Sequence, residues 1–169
     1  WVGCEEEVCI GMVDSEGGPV ASTVGHPSPE DPNTHGKLVS AEVSPNGDRV
    51  AVLGLLIDFT SEPEVTETYT LYDVDLATAR FTELTSGTRT LILDATGAAQ
   101  PTGAGTGELV VEGTVAWTPD GRGLLYLVRE AGDAAASWTI RSIDAAGGSQ
   151  SSVLVRGVQS FAIGWPARR

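Results

Sequence analysis

The chain has 169 residues, of which 41% are hydrophobic and 20% charged, a composition typical of a folded domain and not of a disordered segment. Its 23 acidic residues against 10 basic ones leave a net charge of −13. This balance argues against nucleic acid and anionic membrane surfaces as partners, because both are bound through clustered Lys and Arg. The longest apolar run, residues 50–57, is too short to span a bilayer, so we expect no membrane insertion.

The N-terminal stretch WVGCEEEVCIGMVD, residues 1–14, has the pattern of a β-hairpin whose loop is residues 5–8. In such a hairpin Cys4 and Cys9 lie opposite each other, and their Cα atoms are about 4.5 Å apart in a non-hydrogen-bonded pair. We therefore predict a disulfide between Cys4 and Cys9, with two free thiols as the alternative. A disulfide is typical of exported proteins. Because Trp1 stands in mid-strand, we expect a processed chain or a fragment.

The segment HPSPEDPNTH carries residue types that bind metal ions, namely His26, Glu30, Asp31 and His35. Its prolines keep the segment extended, and the spacing matches no compact set of ligands. The acidic run at residues 5–7 also lacks the alternating pattern of a calcium loop. We therefore predict a solvated loop and an acidic turn, with no metal ion.

One turn motif occurs twice, as Ser-Pro-Asn-Gly-Asp from Ser44 and as Thr-Pro-Asp-Gly-Arg from Thr118, each time between two apolar strands. Pro presets φ near −65°, Asn or Asp caps the turn with its side chain, and Gly adopts the positive φ. The motif therefore predicts hairpin turns whose structural residues are Pro45, Asn46, Gly47, Pro119, Asp120 and Gly121.

Three further strands end at an aspartate that precedes a turn rich in Gly or Ala: CIGMVDSEGG, YTLYDVDLATA and WTIRSIDAAGG. Asp14, Asp75 and Asp144 occupy the same place in the three segments, and alternating apolar residues favour strands over helices there. Recurrence at equivalent positions indicates that these aspartates, together with Asp73, cap turns and are not paired catalytic carboxylates. A more polar fourth strand follows each turn.

The repeat unit therefore has four short antiparallel strands, and such units in radial repetition form a β-propeller. We predict an all-β fold of β-propeller-like four-stranded blades, about three blades' worth, in one domain. The predicted parts are an incomplete blade (1–36), a second blade (37–85), an insertion (86–110), a third blade (111–156) and the first strand of a further or closing blade (157–169). Three arrangements stay open. The chain could be part of a larger propeller, two copies could form a six-bladed ring, or the chain could form an open stack or sandwich.

The segments SPNGDRVAV, TPDGRGLLYLV, LYDVDLATARFTELT and IRSIDAAGG resemble the TolB-like (PD40, WD40-like) class of β-propeller blades. Asn46 departs from the usual Asp of that pattern, and the final WPARR stops before its turn is complete. The resemblance implies a protein-binding module that is secreted, periplasmic or at the cell surface.

No nucleophile motif such as Gly-x-Ser-x-Gly is present, and the glycine-rich stretch 97–108 lacks the lysine of a phosphate loop and is predicted to be a flexible loop. We therefore expect no catalytic residue and no cofactor, and we assign the tryptophans, including Trp117 and Trp138, to blade packing. The expected function is non-catalytic binding of a protein or peptide through the long loops at 25–36, 57–67, 86–108 and 129–137. Further expected partners are the remaining blades, on the same or another chain, or a second copy in a homodimer.

Two alternatives to this function stay open at the level of the sequence. The chain could be the gating propeller of a larger enzyme of the prolyl oligopeptidase type, whose catalytic residues would lie outside it. It could also be a glycan-binding propeller, in which Trp138 would contact the sugar.

Overall fold

The computed structural model describes residues 8–10, 24–26, 32–78, 80–110, 114–130, 138–145 and 151–158. These residues form eleven strands and no helix. The strands are β1 (Val8–Ile10), β2 (Val24–His26), β3 (Thr34–Val43), β4 (Arg49–Ser61), β5 (Glu64–Asp75), β6 (Arg80–Leu93), β7 (Ala99–Val110), β8 (Ala116–Trp117), β9 (Gly123–Glu130), β10 (Trp138–Asp144) and β11 (Ser152–Val158). The predicted all-β class is confirmed.

Nine of these strands form one open antiparallel sheet in the order β11-β10-β9-β7-β6-β5-β4-β3, with β8 also paired to β9. The first four-stranded unit is β3–β6 and the second is β8–β11. Strand β7 connects them, because its earlier part pairs with β6 and its residues 108–110 pair with β9. A separate two-stranded sheet joins β1 to β2. Among the residues given above, no helix is long and apolar enough to cross a membrane.

Two of the predicted long loops, 57–67 and 86–108, are mostly strands, so those predictions were wrong. The range 86–108 spans the end of β6 and most of β7. In the range 57–67, β4 continues to Ser61 and β5 already begins at Glu64. The range 97–108, predicted to be flexible, lies mostly in β7, although Gly and Ala are weak strand formers. The backbone ladder with β6 overrides that propensity, aided by a hydrogen bond of 3.0 Å between the hydroxyls of Thr88 and Thr106.

The main core lies between the two units, because the sheet folds over so that one face of each meets the other. Alternation along β4 and β5 directs Ala51, Leu53 and Leu71 into this core. The second half of the sheet contributes Val110, Val115, Trp117, Leu124, Tyr126, Val128, Ile143 and Ala145. Burial of each large aliphatic side chain stabilises the fold by about 1.5–3 kcal/mol, so this interface holds the two units together.

A second apolar cluster occupies the opposite face of the first unit. Val50, Val52 and Val74 are buried there, beneath the half-buried rings of Tyr72 and Phe81. The β4 segment is therefore apolar on both faces, as the continuous run at residues 50–57 requires. This second face carries the candidate site.

Candidate functional site

The two predicted Pro-x-Gly turns have the same hydrogen-bond pattern and lie side by side. The amide of Ser44 donates to the Arg49 carbonyl at 2.9 Å, and that of Thr118 donates to the Gly123 carbonyl at 2.8 Å. Both turn glycines have positive φ, 75° at Gly47 and 69° at Gly121. The turns touch, since a Cβ built on Gly121 would lie 3.0 Å from the Asn46 side-chain nitrogen.

The predicted capping aspartates have different surroundings. Asp75 accepts a hydrogen bond of 2.9 Å from the Thr78 amide, which lowers its pKa, and it lies opposite Arg49 in the ladder. Asp144 takes the corresponding place in the second unit, opposite Gly123. Asp120 accepts a hydrogen bond of 2.6 Å from the Thr118 hydroxyl, which lowers its pKa. Asp14 lies outside the described residues.

Asp73 does not cap a turn, so that prediction was wrong. Its side chain is buried and forms an ion pair with Arg49, whose guanidinium also donates to the Ala145 carbonyl at 2.7 Å. Burial raises the pKa of Asp73, and this effect exceeds the opposing attraction of Arg49. Among the described residues, the Asp73 Oδ1 and the Arg49 Nε have no hydrogen-bond partner. The pair joins the first unit to the end of β10 and is structural.

The predicted disulfide lies outside the described residues, because Cys4 is not among them. The backbone of Cys9, in β1, lies opposite that of Gly25 in β2. No disulfide is seen in the described part of the chain. The acidic run 5–7, Glu30 and Asp31 also fall outside it.

The two histidines and the described tryptophans take part in strands. His26 ends β2, and the ring of His35 in β3 contacts Phe59 edge-on at 5.7 Å. Within the described ranges no group of three metal-binding side chains is present. Trp117 is buried and its indole nitrogen donates to the Glu42 carbonyl at 2.7 Å, another link between the units, whereas Trp138 begins β10 and is half-buried.

A small groove, with a cavity volume of about 90 Å³, opens on the second face of the first unit, across β3, β4 and β5. Its centre is Gly54, which lies opposite Leu38 on one side and Thr70 on the other. Because glycine has no side chain, it leaves a gap in a face otherwise filled by every second residue of β4. The lining residues are Gly36, Lys37, Leu38, Val52, Gly54, Leu55, Leu56, Thr68, Thr70 and Tyr72.

The groove is preformed and mainly apolar. Its floor is continuous with the buried cluster of Val50, Val52 and Val74. Tyr72 forms one wall, and an edge-on contact of 5.7 Å with Phe81 holds its ring in place. A rigid apolar depression of this kind gives up little conformational entropy when it accepts an apolar group.

Polar groups border the groove on the side of β5. The hydroxyl side chains of Thr68 and Thr70 line it, and Lys37 is its one charged lining residue. The ladder places Thr88 opposite Thr68, so a hydroxyl-bearing surface continues from the groove across β6. The site therefore offers hydrophobic contact at its centre and hydrogen-bonding groups along one rim.

Sequence reasoning missed this groove, because the run VAVLGLLI was interpreted only as a buried strand. The available signal was Gly54 itself, since a glycine inside an apolar strand often marks a gap or a close backbone approach. The identity of the neighbours, Leu38 and Tyr72, depends on strand pairing and has no local signal.

No protein-family model matches the chain, and the search of curated proteins found no relative. The resemblance to TolB-like blades therefore remains a prediction carried by the turn motifs and the strand pattern.

Proposed function

We propose that the chain is a non-catalytic binding module, and that the groove around Gly54 receives an apolar side chain of a protein or peptide partner. The observation that carries this proposal is the preformed apolar depression, lined by Leu38, Leu56 and Tyr72 and bordered by threonine hydroxyls. Such a shape is typical of sites where one buried anchor residue provides most of the binding energy.

The charge of the chain points to a partner with basic residues next to its anchor. The net charge of −13 attracts cationic segments and repels anionic ones. The tip of the β4–β5 hairpin, several residues beyond the groove, exposes Glu62 and Glu64, the first residue of β5. A short segment with an apolar anchor and Lys or Arg beside it fits both features.

We also propose that the two four-stranded units are neighbouring blades of a partial β-propeller in an exported or cell-surface protein. The hydrogen-bond patterns of the turns at Pro45 and Pro119 match, and the units pack face to face through a shared core. These features support a radial repeat. The export and the cell-surface location are implied by the resemblance alone.

Selection from a phage-displayed library of linear peptides tests the binding proposal. We expect enrichment of peptides with one apolar residue flanked by Lys or Arg, and a loss of about tenfold or more in affinity for Gly54→Val, whose side chain fills the groove. Gly105→Val in β7 is the matched control, because Gly105 is an exposed strand glycine outside the groove. Failure to enrich peptides, or equal binding to Gly54→Val, would refute the proposal.

A further inference from the structure

The volume of the groove around Gly54 limits which side chain it can receive. Its cavity volume is about 90 Å³. In a protein core, an apolar cavity of about 150 Å³ holds one benzene ring, which has six carbon atoms. By proportion the groove has room for about three to four carbon atoms, the size of a Val, Leu or Ile side chain. It is too small to enclose the ring of Phe, Tyr or Trp.

The depth of the groove is set by Gly54 and by the ring of Tyr72. A Cβ built on Gly54 would lie 3.7 Å from the Tyr72 Cε2 and 3.9 Å from the Thr70 carbonyl oxygen, so the edge of the ring stands next to the floor. The Tyr72 ring contacts Phe81 edge-on with an interplanar angle of 86°, an arrangement that aromatic pairs favour. The ring would lose this contact if it turned aside to admit a larger group.

The remaining walls come from the neighbouring strands and from β4 itself. Gly54 lies between Leu38 and Thr70 in the ladder, and at a strand spacing of about 4.8 Å these two residues are about 10 Å apart. Their own side chains reduce the slot above Gly54 to about the width of one aliphatic side chain. Along β4, Val52 and Leu56 lie two residues to either side of Gly54 and point to the same face. The groove is therefore bounded along both directions of the sheet.

We propose that the groove selects a branched aliphatic anchor, namely Val, Leu or Ile, over an aromatic one, and that Tyr72 determines this preference. The proposal rests on the proposed function, in which the groove receives an apolar side chain of a peptide. A Phe anchor either displaces the Tyr72 ring from Phe81 or leaves part of its own ring in water, whereas a Leu anchor does neither. One methylene too many or too few in an apolar pocket already gives a discrimination of about 10–200-fold.

The experiment compares four synthetic peptides that share one sequence from the library selection and differ only at the anchor, which is Val, Leu, Phe or Trp. Their affinities for the full chain are measured by isothermal titration calorimetry. We expect the wild-type chain to bind the Leu peptide at least about tenfold more tightly than the Phe peptide. Tyr72→Val removes the ring, so it should lower this ratio by about tenfold or reverse it.

Tyr69→Val is the matched control for Tyr72→Val. Tyr69 belongs to the same strand, but its side chain points to the opposite face and packs against the main core. We expect its replacement to leave the ratio of the two affinities unchanged, even where it lowers the melting temperature.

Gly54→Ala tests the floor of the groove and does not depend on the folding of Tyr72→Val. Its new Cβ occupies part of the groove, next to the Tyr72 ring. We expect it to weaken binding of the Leu peptide more than binding of the smaller Val peptide.

The outcomes separate this proposal from the proposed function. Equal or tighter binding of the Phe peptide by the wild-type chain overturns the selection by Tyr72 and leaves peptide binding at the groove intact. An unchanged ratio in folded Tyr72→Val, the same change in Tyr69→Val, or equal weakening of the Leu and Val peptides by Gly54→Ala has the same consequence. If none of the four peptides binds the wild-type chain, the proposed function itself is refuted, and this proposal with it.

Discussion

Replacing Arg49 with methionine removes the charged group that joins Asp73 to the end of β10. Asp73 is 1% exposed, and without Arg49 its carboxylate is left buried and unpaired. Removal of one partner from a buried ion pair typically costs 3–5 kcal/mol. The already raised pKa of Asp73 lets it take up a proton more easily, which limits the cost. We therefore expect the free energy of unfolding to fall by about 3 kcal/mol.

The double variant Arg49→Met/Asp73→Leu should recover most of that loss. In the native pair the Asp73 Oδ1 and the Arg49 Nε make no hydrogen bond with any described residue, so attraction offsets the desolvation of the charges only in part. Replacing a buried ion pair with apolar side chains of similar volume is often neutral or stabilising. We expect the double variant to unfold within about 1 kcal/mol of the wild-type chain.

Urea denaturation of the four proteins in this double-mutant cycle is the assay, followed by tryptophan fluorescence at neutral pH. The control is the pair of Arg89 and Glu67, which has the same contact chemistry in a more open position, Arg89 being 37% exposed. Arg89→Met should lower the free energy of unfolding by no more than about 1 kcal/mol. If Arg49→Met costs the same as Arg89→Met, or the double variant is as unstable as Arg49→Met alone, the assignment of Asp73 as a buried partner is refuted.

Three further predictions concern the turns, the groove and acid stability. In thermal unfolding, Gly121→Val should lower the free energy of unfolding by about 1–2 kcal/mol more than Gly105→Val, because only Gly121 of the two has positive φ. Equal losses of stability would contradict the turn geometry. Gly54→Ala should raise the free energy of unfolding by about 0.5–1 kcal/mol, because the new Cβ would come no closer than 3.7 Å to its neighbours and alanine loses less backbone entropy on folding. The same methyl group occupies part of the groove, so the melting temperature measured by calorimetry should rise while the affinity for peptide falls. Hydrogen bonds from the Thr96 side chain and from the backbone amides of Ala98 and Thr96 hold the pKa of Asp94 below its usual value of 3.8. The ionised Asp94 therefore stabilises the fold above pH 3.8, and this stabilisation is lost as the pH falls through the lowered pKa. Asp94→Asn should lose this part of the pH dependence in urea titrations from pH 7 to about 2, and an unchanged profile would count against these hydrogen bonds to Asp94.

The strands and the repeated turns could be predicted because their causes are local. Alternation of apolar residues along β5 and β10 follows from the two-residue period of a strand, and the positive φ of Gly47 and Gly121 follows from the turn chemistry. These properties depend on residues a few positions apart, so a single sequence reveals them.

Two of the failed predictions, those for β7 and Asp73, share a different cause. Strand β7 is rich in Gly, Thr and Ala and was predicted to be a loop, yet its ladder with β6 makes it a strand. Asp73 has the same sequence pattern as a turn cap, but it lies opposite Ala51 on the face that meets the second unit. In both cases a partner distant in sequence decides the outcome over the local preference.

The sequence by itself determined the strand class, the matching turns and the acidic character of this protein, because propensity, proline and glycine geometry, and formal charge belong to individual residues. Only the tertiary structure decided that Gly54 lies between Leu38 and Thr70, that the two units share one core, and that β11 is left at an edge. The physical reason is that strand register and face-to-face packing are set by the whole sheet: they bring together residues that no short stretch of chain relates.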